Sequence, residues 1–142
     1  MSKDINVRWG WLKFMYIFTI VVAGGFGLGV ILCPNLITSM YKIPKQDPIL
    51  FGIVGGVYVA IAILSILGLR SPLKFVPILL FELCYKAIWF IGVIVPLLFA
   101  ESFPMHGISF VVLFAIFIIG DLIAIPFSYV FAKQSDQQHN LL

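Results

Sequence analysis

Glu82 and Lys86 stand one helical turn apart inside a run of residues otherwise apolar enough to cross a bilayer. Ionisable groups at such depth are costly, so they need partners and mark candidate sites. The other three apolar runs contribute one further ionisable side chain, Asp121, placed near the centre of its own run. Two carboxyl groups around one amine could exchange a proton, accept a cationic ligand or orient the amine toward an anionic or carbonyl group. In the same run Tyr85 and Trp89 recur with Glu82 and Lys86 at intervals of three and four, so all four share one helical face. Leu80, Leu83, Ala87 and Ile91 are left for lipid or apolar packing.

Composition determines what must position these residues. Of the 142 residues 62% are hydrophobic and 11% charged, far from the roughly 25% charged of a soluble domain. The chain reads as an integral membrane protein. A hydrocarbon core of about 30 Å needs about 20 apolar residues per helix. Four runs qualify, approximately Trp11 to Leu32, Pro48 to Leu69, Phe75 to Phe99 and Gly107 to Ala132. Connections of about 15, five and seven residues leave no room for a soluble domain. The fold class is therefore all-α, with residues 1–142 forming a single four-helix membrane bundle. Transmembrane strands would alternate over about 10 residues, which these runs do not.

The basic start of the first run (Lys3, Arg8, Lys13) and its small residues Val21 and Ala23 sketch a signal peptide. The apolar stretch nevertheless continues to Leu32, beyond an h-region of about 7 to 15 residues, and is read as a retained span. Leu32 before Cys33 is too large for a lipoprotein cleavage site. Lys3, Arg8, Lys13, Arg70, Lys74 and Lys133 fall on one side, against Lys42 and Lys45 on the other, which places both termini in the cytoplasm. The net charge of +3 then reads as topology and attraction to anionic lipid, and nucleic acid is not an expected partner.

Cys33 and Cys84 differ in depth by about 20 Å on this reading, too far for a disulfide. His106 and His139 fall on opposite sides, and no Cys/His spacing suggests a zinc site. Neither metal nor cofactor is expected. Gly25 and Gly29, and Gly52 and Gly56, are spaced by four and suggest close packing of the first two helices. Pro96 and Pro126 lie deep enough to bend theirs.

Counting at 1.5 Å per residue from the cytoplasmic ends, Lys86, Tyr58 and Asp121 lie about 16 Å in, Glu82 and Thr19 about 10 to 12 Å, and Ser65 and Ser128 about 6 Å. Tyr16 is one turn from Thr19. Each helix thus has a polar face in the inner half of the membrane. A pocket or hydrogen-bonded plug is expected there, opening if anywhere toward the cytoplasm. With all three groups ionised the cluster is net negative, so one acid is expected to hold a proton. The same residues could also serve only to register four helices.

The segments GGFGLGVILCP, Tyr41 to Pro48, GLRSP (Gly68 to Pro72) and above all FELCYKAIW resemble the small four-helix DoxX-like membrane proteins of bacteria. The resemblance covers most of the chain and implies a multi-pass protein of the bacterial inner membrane. Some relatives are named as membrane subunits of quinone-linked oxidoreductases, and no catalytic residue is carried over.

Two functions follow as expectations. In the first, Glu82, Lys86 and Asp121 with Tyr58, Tyr85 and Trp89 form a pocket that binds a small amphipathic ligand, a quinone included, or conducts protons. Lys86 would hold an anionic or carbonyl group between aromatic walls. In the second, the chain anchors a partner membrane or redox subunit and the buried charges are structural. Catalysis stands third, because the sequence shows no nucleophile with an adjacent base and no nucleotide-binding glycine loop.

Overall fold

A backbone in hydrocarbon must satisfy its own hydrogen bonds, and the apolar runs do so as helices. The computed structural model describes residues 6–133; Lys3 and His139 lie outside them. Four helices are long and apolar enough to cross a membrane: Trp9–Leu32, Pro48–Arg70, Val76–Phe99 and Gly107–Ala124. The first span is α1 (Trp9–Leu32), followed by the short α2 (Pro34–Met40), and the second is α3 (Pro48–Arg70). α4 (Val76–Trp89), a π-helical turn (Phe90–Ile94) and α5 (Val95–Phe99) make the third. The fourth is α6 (Gly107–Ala124), with a single turn, α7 (Phe127–Val130), after it. No strand occurs among the described residues, and the all-α architecture is as the composition requires.

Local chemistry sets the helix ends. Asp47 caps α3 by accepting from the backbone N–H groups of Ile49 and Leu50 at 3.0 and 2.9 Å, with Pro48 at the first helical position. α2 and α5 end in paired reverse bonds, Ile43 N to Thr38 O and Lys42 N to Ser39 O, and Ser102 N to Leu97 O and Glu101 N to Leu98 O. This termination places one residue in the left-handed region. Here those residues are Lys42 and Glu101, with φ of 54° and 50°, where glycine is the usual occupant.

α1 is the central helix. Leu12, Met15, Tyr16, Thr19, Ala23, Gly27 and Val30 recur at three and four and are buried. Along α3 its approach is set by Gly24, Gly27 and Gly55. A Cβ on Gly27 would lie 2.8 Å from the Gly55 carbonyl oxygen, and one on Gly24 would lie 3.1 Å from the Ala62 Cβ. The expected packing of the first two spans is present, but through different glycines. Gly25, Gly52 and Gly56 face open space, and Gly29 packs on Ile37 of α2. Equal spacing describes two faces of a glycine-rich helix, and only the partner selects one.

Leu12, Met15, Tyr16, Val76, Leu79, Phe117, Ala124 and Ile125 form the core at the face carrying the two ends of the described chain. Tyr16 anchors it by donating its hydroxyl to the Pro72 carbonyl at 2.7 Å, with its ring over Gly68. Tyr16→Phe is expected to cost about 1 kcal/mol in detergent unfolding, the net worth of that bond. An unchanged unfolding midpoint would show that water replaces the hydroxyl.

The fourth span departs from its expected range of 107 to 132. α6 stops at Ala124, because Ile125 before Pro126 is extended (ψ 122°) and Pro126 has no N–H to continue the ladder. The Arg8 guanidinium donates to the freed Ile123 carbonyl at 3.3 Å, tying the first span to the fourth. Asp121 consequently lies in the last turn of α6, not midway along its helix, and Ser128, on α7, is exposed.

Candidate functional site

Each of the four spans buries one or two polar side chains in a common region: Thr19 from α1, Ser65 from α3, Glu82 and Lys86 from α4, and Asp121 from α6, all at most 1% exposed. The i,i+4 spacing on α4 lets Lys86 Nζ donate to Glu82 Oε2 at 2.7 Å. Rings enclose the same ammonium, with centroids at 4.1 Å (Phe117), 4.6 Å (Tyr85) and 5.6 Å (Phe114). A desolvated cation is stabilised by ring faces at such distances. Lys86 is therefore held by one carboxylate and an aromatic cage. Ser65 Oγ and both Asp121 carboxyl oxygens are buried with no hydrogen-bond partner, while the Thr19 hydroxyl faces the Glu82 carboxylate. Unpaired polar atoms at this density are unusual in folded proteins and mark a place where a proton or a small polar guest would be favoured.

Adjacent to this cluster, in the half of the bundle away from the chain ends, lies a cleft of about 620 Å³. α3 forms one wall through Ile53, Val57 and Tyr58; α4 and α6 form the other through Phe81, Tyr85, Trp89, Phe110 and Phe114. Ile53, Val57, Phe81 and Val93 line it and are 59, 44, 49 and 44% exposed, so it opens sideways between α3 and the third span. Ile43, Phe103 and His106, which lie outside the four spans, complete the lining. No Asp, Glu, Lys or Arg contributes to the lining.

The π-helical turn shapes the third wall. Pro96 has no N–H for the Gly92 carbonyl, and the helix widens just before it, Val95 N–H reaching back five residues to Phe90 O. Val93, Ile94 and Leu97 thereby reach the cleft. Pro96 was expected to bend its helix; the response is an extra residue in one turn.

The six residues singled out in the sequence divide into two groups. Tyr58, Tyr85 and Trp89 line the cleft. Glu82, Lys86 and Asp121 stand behind the wall made by Tyr58, Tyr85 and Phe114, and the space that touches Lys86 is about 20 Å³, room for about one water. Tyr85 and Phe114 belong to both, one environment being the cleft and the other the ammonium. Contrary to the expected opening, the polar cluster is sealed toward the chain ends by the Leu12–Tyr16–Leu79–Phe117 core, and the free space lies on the other side. Sequence reasoning missed Val57, Phe81, Phe103, His106, Phe110 and Phe114 as lining residues. Phe110, Phe114 and Phe117 do recur at helical spacing, but in a chain with 14 phenylalanines that signal has little contrast.

Among the described residues no three His, Cys, Asp or Glu side chains gather as a metal site. Cys33 and Cys84 are both free. No protein-family model, curated protein or solved structure matches this chain. The chain is a four-span membrane protein in contact with lipid, and its function is read from the site alone.

Proposed function

We propose that this protein takes a small amphipathic, lipid-soluble molecule from the bilayer into the cleft between α3 and the third and fourth spans. The observation that carries the reading is the cleft itself: about 620 Å³, aromatic and aliphatic, open sideways where lipid would be. Ligand sites are commonly apolar cavities of about 300 to 1,000 Å³ with a few polar groups, and this one has Tyr58, Tyr85, Trp89 and His106. Glu82, Lys86 and Asp121 lie directly behind and support the wall. Native mass spectrometry of gently extracted protein tests this. A small molecule retained by the wild type and lost in Val57→Trp, which fills the cleft, is expected. Retention of a partner polypeptide by both, with no small molecule, would favour an anchoring subunit instead.

The unpartnered carboxyl and hydroxyl oxygens around Asp121 favour a second role, proton exchange within the cluster. The likeness of FELCYKAIW to DoxX-like proteins supports placement in a bacterial inner membrane and, through some relatives, association with quinone-linked redox subunits. The excess of basic residues at the chain-end face supports cytoplasmic termini. A membrane-impermeant maleimide applied outside intact cells is then expected to label Cys33, exposed at the junction of α1 and α2. Cys84 lies within the third span and should stay unlabelled. Labelling of Cys33 only after cells are opened would invert the orientation.

A further inference from the structure

Two acids and one amine share the sealed cluster, and their partners are unequal. Glu82 is provided for: Lys86 Nζ donates to its Oε2 at 2.7 Å, and the Thr19 hydroxyl faces the same carboxylate. Asp121 is not. It is 0% exposed, and neither of its carboxyl oxygens receives a hydrogen bond. Its place in the last turn of α6 adds the negative end of the helix, where a carboxylate is disfavoured. An ionised carboxyl so placed would be desolvated with no donor, whereas the neutral acid loses far less.

The surrounding groups offer Asp121 one counter-ion. α4 presents Glu82, Lys86 and Tyr85, and α3 brings Tyr58 beside Tyr85. α1, packed on α6 through Met15 at Gly120, brings Tyr16, whose hydroxyl is spent on the Pro72 carbonyl. Arg8 donates to the Ile123 carbonyl, and it is exposed, as are Lys13, Arg70 and Lys74. Only Lys86 is a buried cation. Phe117 and Asp121 are one turn apart and both buried on α6, so they share a face. The ammonium lies 4.1 Å from the Phe117 ring centroid, which puts Asp121 next along that face and within electrostatic reach.

The same ammonium is tied to the cleft. Tyr85 and Phe114, with centroids 4.6 and 5.6 Å from it, also line the cleft, and Trp89 meets Phe114 at 4.9 Å. A space of about 20 Å³ beside Lys86 leaves room for its end to shift.

Resting on the reading of the cluster as a place of proton exchange, we infer that Asp121 is its proton-binding site and that Lys86 couples that site to the cleft. With Asp121 protonated the cluster is neutral and Lys86 belongs to Glu82, as in this structure. When the proton leaves for water, two carboxylates share one ammonium; it is drawn along the Phe117 face, and Tyr85 and Phe114 follow. Occupancy of the cleft and of Asp121 then affect each other equally. A guest that fits the present wall tightens proton binding, and proton loss loosens the guest.

Infrared spectra of the protein in lipid nanodiscs test the site. Exposed carboxyls are ionised at neutral pH, so a carbonyl stretch from a protonated carboxyl reports a buried one. One such band is expected. It should shift when aspartate carries carbon-13 in its side-chain carboxyl, ignore the same label in glutamate, shift again in heavy water and vanish in Asp121→Asn. Should that variant not assemble, the two labels in the wild type decide, because Asp47, the other described aspartate, is exposed. The coupling is read from Trp89 in a Trp9→Phe, Trp11→Phe background, where it is the one tryptophan left. Its fluorescence should change with pH at the midpoint where the band is lost, and Asp121→Asn should hold it at the acid value. A band that follows the glutamate label would put the proton on Glu82 and overturn the inference, leaving proton exchange in the cluster. An Asp121 band whose loss leaves Trp89 unchanged would overturn it too. No protonated-carboxyl band at neutral pH, or one indifferent to heavy water, would overturn both.

Discussion

Glu82→Ala is expected to destabilise the bundle by roughly 3 to 5 kcal/mol, and adding Lys86→Met to recover much of that loss. Lys86 Nζ and Glu82 Oε2 are 2.7 Å apart and each residue is 1% exposed, so neither group reaches water when its partner is removed. The aromatic cage around Lys86 softens the cost but supplies no acceptor. Asp121 is the nearby alternative, yet it makes no ion pair in this arrangement, and its backbone is held in the last turn of α6. Methionine fills most of the volume of the lysine stem and prefers the ring faces that already surround it. Unfolding in detergent by urea or SDS, followed by helix content, measures both variants. A double variant no more stable than the single would mean that the pair contributes little beyond its packing.

Gly27→Ala is the second large effect, at about 3 kcal/mol, the upper end for overpacking. Its new Cβ would stand 2.8 Å from the Gly55 carbonyl oxygen and 2.9 Å from the backbone nitrogen of Val59. Backbone atoms cannot rotate away, so α1 and α3 must separate along their length. Gly25→Ala, two residues earlier, meets nothing within 4 Å and should be neutral or stabilising by up to about 1 kcal/mol through helix propensity. Opposite signs from the same change on two faces of one helix would confirm the contact. Similar losses from both would move the seam to Gly25.

The two effects bear on the proposed function differently. Separation of α1 and α3 would displace the wall that carries Val57 and Tyr58, so Gly27→Ala should impair both assembly and retention of ligand. Loss of the ion pair acts from behind the wall, through Tyr85 and Phe114. A stable double variant that still retains the ligand would assign Glu82 and Lys86 to support rather than contact. Loss of ligand from that folded variant would instead require Lys86 to reach the cleft.

Amino-acid sequence alone determined that this chain is a four-span helical membrane protein, because spans of this length and apolarity have no other way to satisfy their backbone in lipid. It also determined that Glu82, Lys86 and Asp121 are the ionisable groups to explain, and that Tyr85 and Trp89 share a helical face with two of them. Spacing along one helix is intrinsic to the helix. Tertiary structure decided which faces meet. Gly27 and Gly55 form the close contact in place of Gly25 and Gly56, since several small faces were available and neighbouring side chains chose among them. The break at Ile125 and Pro126 moved Asp121 to a helix end and Ser128 outward, which residue counting along an assumed continuous helix could not register. The side of the polar cluster that holds free space was likewise a packing outcome: large residues fill one half of the bundle, while the widened turn before Pro96 and the aromatic rings of α6 leave a cleft in the other.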